Sequence, residues 1–160
     1  MRNEPVNRLG IKALSYWFWS GFLTSILWWL IPVAYYIFGI RIWSFPSWII
    51  IILIIFSIII TYLKTALFPK IIWERWRYEI SEHDIDLCYG LLIKKRTIIP
   101  MVKVQHVDTK QGPLMKRFAL SSVTISTAAG EHEIPALAEE IADELRDRIS
   151  ILARVVEEDV

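Results

Sequence analysis

The chain has little cysteine, and its first half has almost no acidic residues. Cys88 is the only cysteine among 160 residues, so no intrachain disulfide can form, which fits a reducing compartment. We interpret Cys88 as a small packing residue in a strand rather than a catalytic thiol, which would need a histidine partner. Residues 1–72 carry six basic groups and a single acid, Glu4. The first half is therefore strongly basic.

Sequence motifs of catalysis and cofactor binding are also missing. There is no phosphate loop, dinucleotide fingerprint or nucleophile elbow. His83, His106 and His132 lack metal-ligand spacing, and we interpret His132 as part of a solvated turn and His106 as a plain strand residue. The sequence therefore predicts no catalytic residue, no metal and no cofactor, and a protein that is not an enzyme. A membrane enzyme of unknown reaction is the weakest alternative.

The second half of the chain has the opposite charge. Residues 73–160 carry twelve basic and sixteen acidic groups, so the overall net charge of +1 combines a basic part with an acidic part. An acidic domain repels polyanions, and we therefore expect no nucleic-acid partner.

Long uncharged segments dominate the basic half. Residues 13–40 carry no charge, and after Arg41 residues 42–63 carry none either. About 20 apolar residues cross a bilayer as a helix, so both segments are predicted to span the membrane. Pro32 predicts a kink, or an early helix end near Tyr35 and Tyr36.

The predicted organisation has five parts, and the lipid bilayer is the first expected partner. They are an N-terminal tail (1–12), a first transmembrane helix (13–37), an external loop (38–47), a second transmembrane helix (48–68) and a soluble domain (69–160). Basic residues, Arg2 among them, flank the outer ends of both segments, whereas the loop has only Arg41. The positive-inside rule therefore predicts a multi-pass cell-membrane protein with both termini in the cytoplasm.

Beyond Pro69 the apolar pattern changes to period two, which is typical of strands. The predicted strands are Trp76 to Ile80, Ile85 to Tyr89, Lys94 to Ile99, Met101 to Thr109, Ser122 to Thr127 and a short one ending at Ile134–Pro135. An amphipathic helix follows, with an apolar face of Leu137, Ile141, Leu145, Ile149, Leu152 and Val156. The fold class is therefore a membrane α-helical hairpin followed by a mostly β, α+β barrel closed by a C-terminal helix.

A family resemblance rests on the order of several loose motifs. These are Trp76-Arg-Tyr78, Gly90, Ile99-Pro100, Val104-Gln105-His-Val107, Gln111-Gly112-Pro-Leu114 with Arg117-Phe118, and Ile125-Ser-Thr127-Ala-Ala-Gly130 before the amphipathic helix. Together they resemble the membrane-flanked domain family, and the two transmembrane segments match its short, YdbS-like members. The resemblance implies a bacterial pleckstrin-homology-like (PH-like) barrel of seven strands with a C-terminal helix, and no known catalytic residues.

The resemblance also implies a role and a partner. It suggests a membrane-anchored interaction or scaffold module that joins a larger membrane protein bearing several PH-like domains, in envelope stress or antimicrobial-peptide resistance. Lipid-binding PH domains carry a basic loop between their first two strands. The stretch that we match to it, Ser81-Glu82-His83-Asp84, is acidic, which argues against phosphoinositide binding of that kind.

Two basic groups are candidates for contact with lipid or a partner. For Lys94-Lys95-Arg96 we favour solubility and edge protection. The second group lies in a loop that mixes cations with apolar residues: Lys110, Leu114, Met115, Lys116, Arg117 and Phe118. This loop suits an anionic headgroup interface, which makes an anionic-lipid or small-ligand sensor the second functional hypothesis. Equally, Leu114 and Phe118 could fold back to plug the barrel.

Overall fold

The structure is a computed structural model that describes residues 4–91 and 93–158, with side chains as far as Val155. Arg2 and the side chain of Val156, both used above, lie outside the described residues. The chain forms two compact units. Trp17–Lys70 is one unit, a helical hairpin, and the flanking residues up to Tyr16 and from Ile71 form the other, a β-rich domain.

The hairpin consists of two apolar helices, each extended by a π-helical stretch. The elements are α1 (Lys12–Ala34) with a π-helix (Tyr35–Ile40), α2 (Trp48–Tyr62) with a π-helix (Leu63–Leu67), and α3 (Phe68–Arg75). The continuous helices Lys12–Ile40 and Trp48–Arg75 are each long and apolar enough to cross a membrane. The loop is shorter than predicted, and the second helix runs past the predicted end at residue 68 as far as Arg75.

Pro32 shapes the interface between the two helices. It has no N–H, so the carbonyl of Trp28, four residues earlier, lacks its usual intrahelical donor. The Ser57 hydroxyl, which is 1% exposed, donates to that carbonyl across the hairpin at 3.2 Å. The helix runs on past Pro32; at Tyr35 and Tyr36, where an early end was the predicted alternative, it changes to a π-helix and continues to Ile40.

Small and hydroxyl-bearing residues allow the two helices to approach closely. A Cβ on Gly21 would lie 2.2 Å from the carbonyl oxygen of Lys64, so no larger residue fits there without moving the backbone. The Trp29 indole donates to Thr61 Oγ1 at 3.2 Å, and the Trp28 ring meets Phe56 edge to face. Both tryptophans thus contact the opposite helix, which is how helices associate in lipid.

The β-rich domain contains seven strands within the described residues, in two antiparallel sheets. The strands are β1 (Asn7–Arg8), β2 (Arg77–Ile80), β3 (Asp84–Tyr89), β4 (Lys95–Pro100), β5 (Val104–Lys110), β6 (Leu120–Thr127) and β7 (Gly130–Ala138). The first sheet has the order β1-β2-β3-β4 and the second β5-β6-β7. A 3-10 turn (Met101–Lys103) joins the sheets, and the helices are α4 (Pro113–Arg117) and α5 (Glu139–Glu158).

The core lies between the two sheets and under α5. Apolar residues from the strands, the 3-10 turn and this helix are at most 2% exposed, among them Ile85, Leu87, Met101, Leu120, Val123, Ile125, Ile134, Leu137 and Ile149. Cys88 is buried in β3, at 1% exposure. The polar and apolar alternation predicted for β6 does not separate exposed from buried residues, since Ser122 and Thr124 on its polar face are also buried. This central strand has neighbours on both sides and also contacts α4 and α5.

The C-terminal helix begins later than its apolar pattern indicates. Pro135 and Leu137 belong to β7, which runs to Ala138, and α5 starts at Glu139. Ile141, predicted to face the core, is 44% exposed, whereas Ala142 is buried. The packed stripe is therefore rotated by one position at the start of the helix, and Ile149 becomes its fully buried member.

Candidate functional site

The loop predicted to contact lipid or a partner separates its charged and apolar side chains. Lys116 and Arg117 on α4 are exposed, whereas Met115 between them and β6 is only 8% exposed. Leu114 and Phe118 are half-buried. Lys110 lies 3.8 Å from Glu131, in an exposed ion pair. In this loop the exposed side is formed mainly by the cations, and contact of the six residues with lipid or a partner stays a prediction.

Backbone and side-chain hydrogen bonds hold this loop in place. The amide of Gln111 donates to the Leu120 carbonyl at 3.0 Å, and Ser121 Oγ donates to the Lys110 carbonyl at 3.1 Å. Pro113 occupies the first turn of α4, where its missing N–H costs nothing. Such ordering favours the arrangement in which the apolar side chains fold back onto the sheet.

The first basic group is engaged in contacts within the domain. Arg96 Nε lies 3.0 and 3.1 Å from the two carboxylate oxygens of Asp86, which is only 3% exposed. This hydrogen bond raises the pKa of the Arg96 guanidinium. Lys94 bonds to Glu4, and the Lys95 ammonium lies 5.8 Å from the centre of the Tyr89 ring. All three residues of the group thus have contacts within the domain, and solubility with edge protection stays a prediction.

The N-terminal segment is part of the domain rather than a separate tail. Asn7 pairs with Tyr78 and Arg8 with Arg77, which adds β1 to the edge of β2. The Trp73 indole donates to the Leu9 carbonyl at 3.0 Å, and Leu9 is 2% exposed. The only sequence signal for this strand is a short polar and apolar alternation, too short to separate from coil.

This extra strand changes which strands come first along the chain. The six strands predicted from the pattern lie after residue 73, and the seventh is β1, before the hairpin. The connection between the first two strands is therefore residues 9–76, which contain the whole hairpin. Ser81–Asp84, used above for that loop, belongs to the turn between β2 and β3.

A cavity of about 290 Å³ opens between β7 and β3, beside Trp76. Trp76 and Tyr89 stack within it, with ring centroids 5.5 Å apart, and Glu131, His132 and Glu133 form the polar side. His132 is half-buried in β7, so its interpretation as a solvated turn residue was wrong. Aromatic and acidic walls suit a small cationic or hydrogen-bonding ligand.

An exposed apolar corner lies where β4 passes into the 3-10 turn. Ile98 on β4 is 47% exposed and Val102 is 56% exposed. A groove of about 440 Å³ begins at Val102 and is lined further by Lys103, Gln105, Thr127, Ala128 and Ala129. Since β4 is the last strand of its sheet, an extended backbone edge adjoins this corner. The period-two pattern assigned Ile98 to a strand but could not show that it faces solvent.

The described part of the chain brings no three histidine, cysteine or acidic side chains close enough to hold a metal ion. The titratable side chains that do meet there form cross-strand or surface pairs, such as His106 with Asp108 at 2.9 Å. His106 is exposed.

These features define a membrane protein that joins an apolar helical hairpin to a two-sheet domain with a C-terminal helix. The family model for the bacterial PH domain matches residues 8–153, and the chain belongs to that family. It is 42% identical over 160 residues, all of both chains, to the UPF0699 transmembrane protein YdbS of Bacillus subtilis (strain 168). The UPF0699 transmembrane protein YdbT of the same organism is 30% identical over 77 residues, 48% of this chain and 16% of YdbT. No solved structure matches the chain.

Proposed function

We propose that the protein is a non-catalytic, membrane-anchored interaction module whose PH-like domain binds a protein partner at the membrane surface. The observation that carries this proposal is the apolar corner of Ile98 and Val102 at the free edge of β4. Exposed apolar surface beside an unpaired strand edge is a typical protein-binding feature.

The partner proposed is a larger membrane protein that bears several PH-like domains. YdbT supports this choice, because the matched segment covers only 16% of its length and leaves room for further domains. Tethering both proteins in one bilayer raises the effective concentration of each for the other, so a modest interface suffices. Envelope stress or antimicrobial-peptide resistance is the process in which we place the complex.

The proposed orientation puts both termini in the cytoplasm. Pairing of β1 with β2 supports a common side, because Asn7 and Tyr78 can meet only if the chain crosses the membrane an even number of times between them. Basic flanks support the cytoplasmic side. A cysteine placed at Arg41 should react with an impermeant maleimide on intact cells, whereas one near Glu158 should react only after permeabilisation. The reverse pattern would invert the orientation.

Photo-crosslinking in living cells tests the partner surface. A photoreactive amino acid at Ile98 or Val102 should give a discrete crosslinked protein, whereas one at Ile151, which is 62% exposed on α5, should give none. Ile98→Lys should remove the Val102 crosslink without changing the amount of protein in the membrane. Equal crosslinking from all three positions would contradict the proposal.

A sensor of anionic lipid or of a small ligand is the second candidate. The exposed Lys116 and Arg117 favour the lipid version, and the cavity at Trp76 and Tyr89 favours the small-ligand version. Liposome flotation of the full chain is uninformative because it is anchored. Instead, changing both cations to glutamate should alter the protection of α4 from hydrogen exchange in anionic nanodiscs but not in neutral ones. Identical exchange in both kinds of nanodisc would remove the lipid version.

A further inference from the structure

The most exposed large apolar side chain among the described residues is that of Ile93, at 84%. It belongs to the turn that joins β3 to β4, where it follows the half-buried Leu91 and precedes the exposed Lys94 and Lys95. We call Leu91, Ile93, Lys94 and Lys95 the β3–β4 tip. A single exposed isoleucine is common on protein surfaces, and its surroundings decide whether it has a role.

The tip has a tight conformation and is tied to the end of a helix. Gly90, just before it, has a φ of +133°, and a Cβ there would lie 2.0 Å from the Ile93 carbonyl oxygen, so only glycine fits. The Arg75 guanidinium donates from Nη1 to the Leu91 carbonyl at 2.8 Å. This hydrogen bond keeps the tip beside Arg75.

Arg75 lies close to the membrane because it ends the continuous helix Trp48–Arg75. It follows residue 68, the predicted end of the second transmembrane helix, by seven residues, which is about 10 Å at 1.5 Å per residue. Headgroups widen the bilayer from about 30 Å to about 40–45 Å, so Arg75 reaches the water side of the headgroup layer. Side chains on a helix lean toward its N-terminus, so we expect the Arg75 side chain to lean back toward the bilayer.

The register of the first sheet puts the tip at the same end of the domain as the helix. Arg77, at the start of β2, pairs with Cys88, and Tyr89 pairs with Lys95. The tip therefore lies beside the point where the chain passes from the helix into β2. Pro100 ends β4, about 17 Å from Lys95 along the strand. The corner proposed above for a protein partner lies toward that far end.

The charged and aromatic neighbours of the tip suit the headgroup layer. The Lys95 side chain is exposed, and its ammonium lies 5.8 Å from the centre of the Tyr89 ring. Tyr89 stacks on Trp76, the residue that follows the helix. Lys94 pairs with Glu4, so Lys95 carries the positive charge of the tip. Lysine and aromatic rings beside exposed apolar residues are typical of the boundary between water and lipid.

We propose that the β3–β4 tip inserts Leu91 and Ile93 into the headgroup layer of the protein's own membrane, with the Lys95 ammonium against anionic lipid phosphates. The chain connection favours the bilayer as the occupant, because the spanning helix holds the tip about 10 Å from the hydrocarbon edge and keeps the effective concentration of lipid high. Insertion fixes the domain against the leaflet. This contact is separate from Lys116 and Arg117 and does not depend on the proposed protein partner.

Spin labelling of the full-length protein in nanodiscs tests the contact. A cysteine carrying a nitroxide replaces Ile93 or, as controls, Val102 or Ile151, which are 56% and 62% exposed. Cys88 is buried, and the unsubstituted protein measures any label that it takes up. In nanodiscs of phosphatidylglycerol and phosphatidylcholine, collisions with oxygen should dominate at Ile93, because oxygen concentrates in lipid. Collisions with a water-soluble nickel chelate should dominate at both control positions.

A charge reversal tests the part played by Lys95. Lys95→Glu should lower the ratio of inserted to water-exposed label at Ile93, two components of the spectrum, by about fivefold or more in anionic nanodiscs. Lys103→Glu, the same change beyond the far end of β4, should have little effect. In pure phosphatidylcholine both variants should match the parent protein.

Three results would overturn the proposal. Nickel collisions at Ile93 as frequent as at Val102 would place the tip in water. Equal losses of inserted label from Lys95→Glu and Lys103→Glu would mean diffuse attraction of the whole domain rather than a contact of the tip. Restriction of the Ile93 label without oxygen collisions, and only in nanodiscs that hold two copies, would replace the lipid with a second copy of this chain.

Discussion

The hairpin and the PH-like domain satisfy their polar groups in opposite ways. In the hairpin, uncharged groups pair with one another: a serine hydroxyl with a carbonyl, and an indole with a threonine. In the domain, charged groups pair across strands, as Arg96 does with the buried Asp86. A bilayer penalises charge at every position, whereas a water-exposed sheet can bury one charge of a pair and leave the other half in solvent. The two units of the chain therefore pair their polar groups differently, and the boundaries between them lie near residues 16 and 71.

The largest effect is expected from breaking the charge pair of the domain. Arg96→Met leaves the nearly buried Asp86 carboxylate without its guanidinium and should give the largest loss of domain stability among the variants considered. Urea unfolding of the full-length protein in a mild detergent, followed by near-ultraviolet circular dichroism, measures the loss. Lys95→Met, on the adjacent residue, removes only a surface contact with Tyr89 and should cost less than about 1 kcal/mol. Equal losses of stability in the two variants would show that the Arg96–Asp86 pair contributes no more than the surface contact of Lys95.

Apolar packing of α5 should matter nearly as much. Ile149 is fully buried and Ile151 is 62% exposed on the same helix. Ile149→Ala should therefore cost about 2–5 kcal/mol, whereas Ile151→Ala should be close to neutral. The same urea titration serves both variants. A small effect of Ile149→Ala would mean that the helix does not close the core.

The hairpin should respond more weakly, and through hydroxyl groups. Ser57→Ala removes the donor to the Trp28 carbonyl and should cost about 0.6 kcal/mol, the average for hydrogen bonds between membrane helices, and at most about 1.7 kcal/mol. Unfolding by sodium dodecyl sulfate, followed by far-ultraviolet circular dichroism, provides the measurement.

A double variant, Ser57→Ala combined with Pro32→Ala, tests whether the Ser57 hydroxyl compensates for the proline. In a Pro32→Ala background the helix can supply its own donor to Trp28, so the further loss caused by Ser57→Ala should shrink. Equal losses in both backgrounds would mean that Ser57 does not compensate for the proline.

The smallest expected effect on stability comes from Glu4, the acid of the N-terminal segment. The hydrogen bond from Lys94 lowers the pKa of Glu4 below its ordinary value of 4.5. Because the folded pKa is the lower one, the contribution of Glu4 to stability is present above pH 4.5 and is lost as the pH falls through the folded pKa. A carbon-13 NMR titration of the Glu4 carboxyl should give a midpoint below 4.5, which Lys94→Met returns toward 4.5 and Lys103→Met does not.

The two regions also differ in how well their sequences predict them. The hairpin can be predicted from the length of the two uncharged segments alone, because a helix satisfies its own backbone hydrogen bonds within a bilayer. Its helix contacts do not follow, since nothing local indicates that Ser57 meets Trp28. In the domain, alternation located six strands to within a few residues and the family resemblance implied the seventh.

The wrong predictions made for the domain from its sequence have a common physical cause. The seventh strand has only Asn7 and Arg8, and its partner lies beyond the hairpin, so local pattern could not find it. Ile141 was misplaced because its helix starts two residues after Leu137, which shifts the apolar stripe. The six residues of the α4 loop are together, as predicted, but tertiary packing decides that Met115 is buried and Lys116 is not. Burial depends on what covers a residue, which periodicity alone does not specify.

The pairing of Asn7 with Tyr78 also sets an order of events during synthesis. Some seventy residues separate the two, so at 5–20 residues per second β1 waits roughly 4–14 s for its partner strand. A chain that inserted one span and missed the other would leave Asn7 and Tyr78 on opposite sides of the membrane, with the edge of β2 uncovered. Completion of the first sheet therefore acts as a check on insertion, and a wrongly threaded chain displays an open strand to the cell's quality-control machinery.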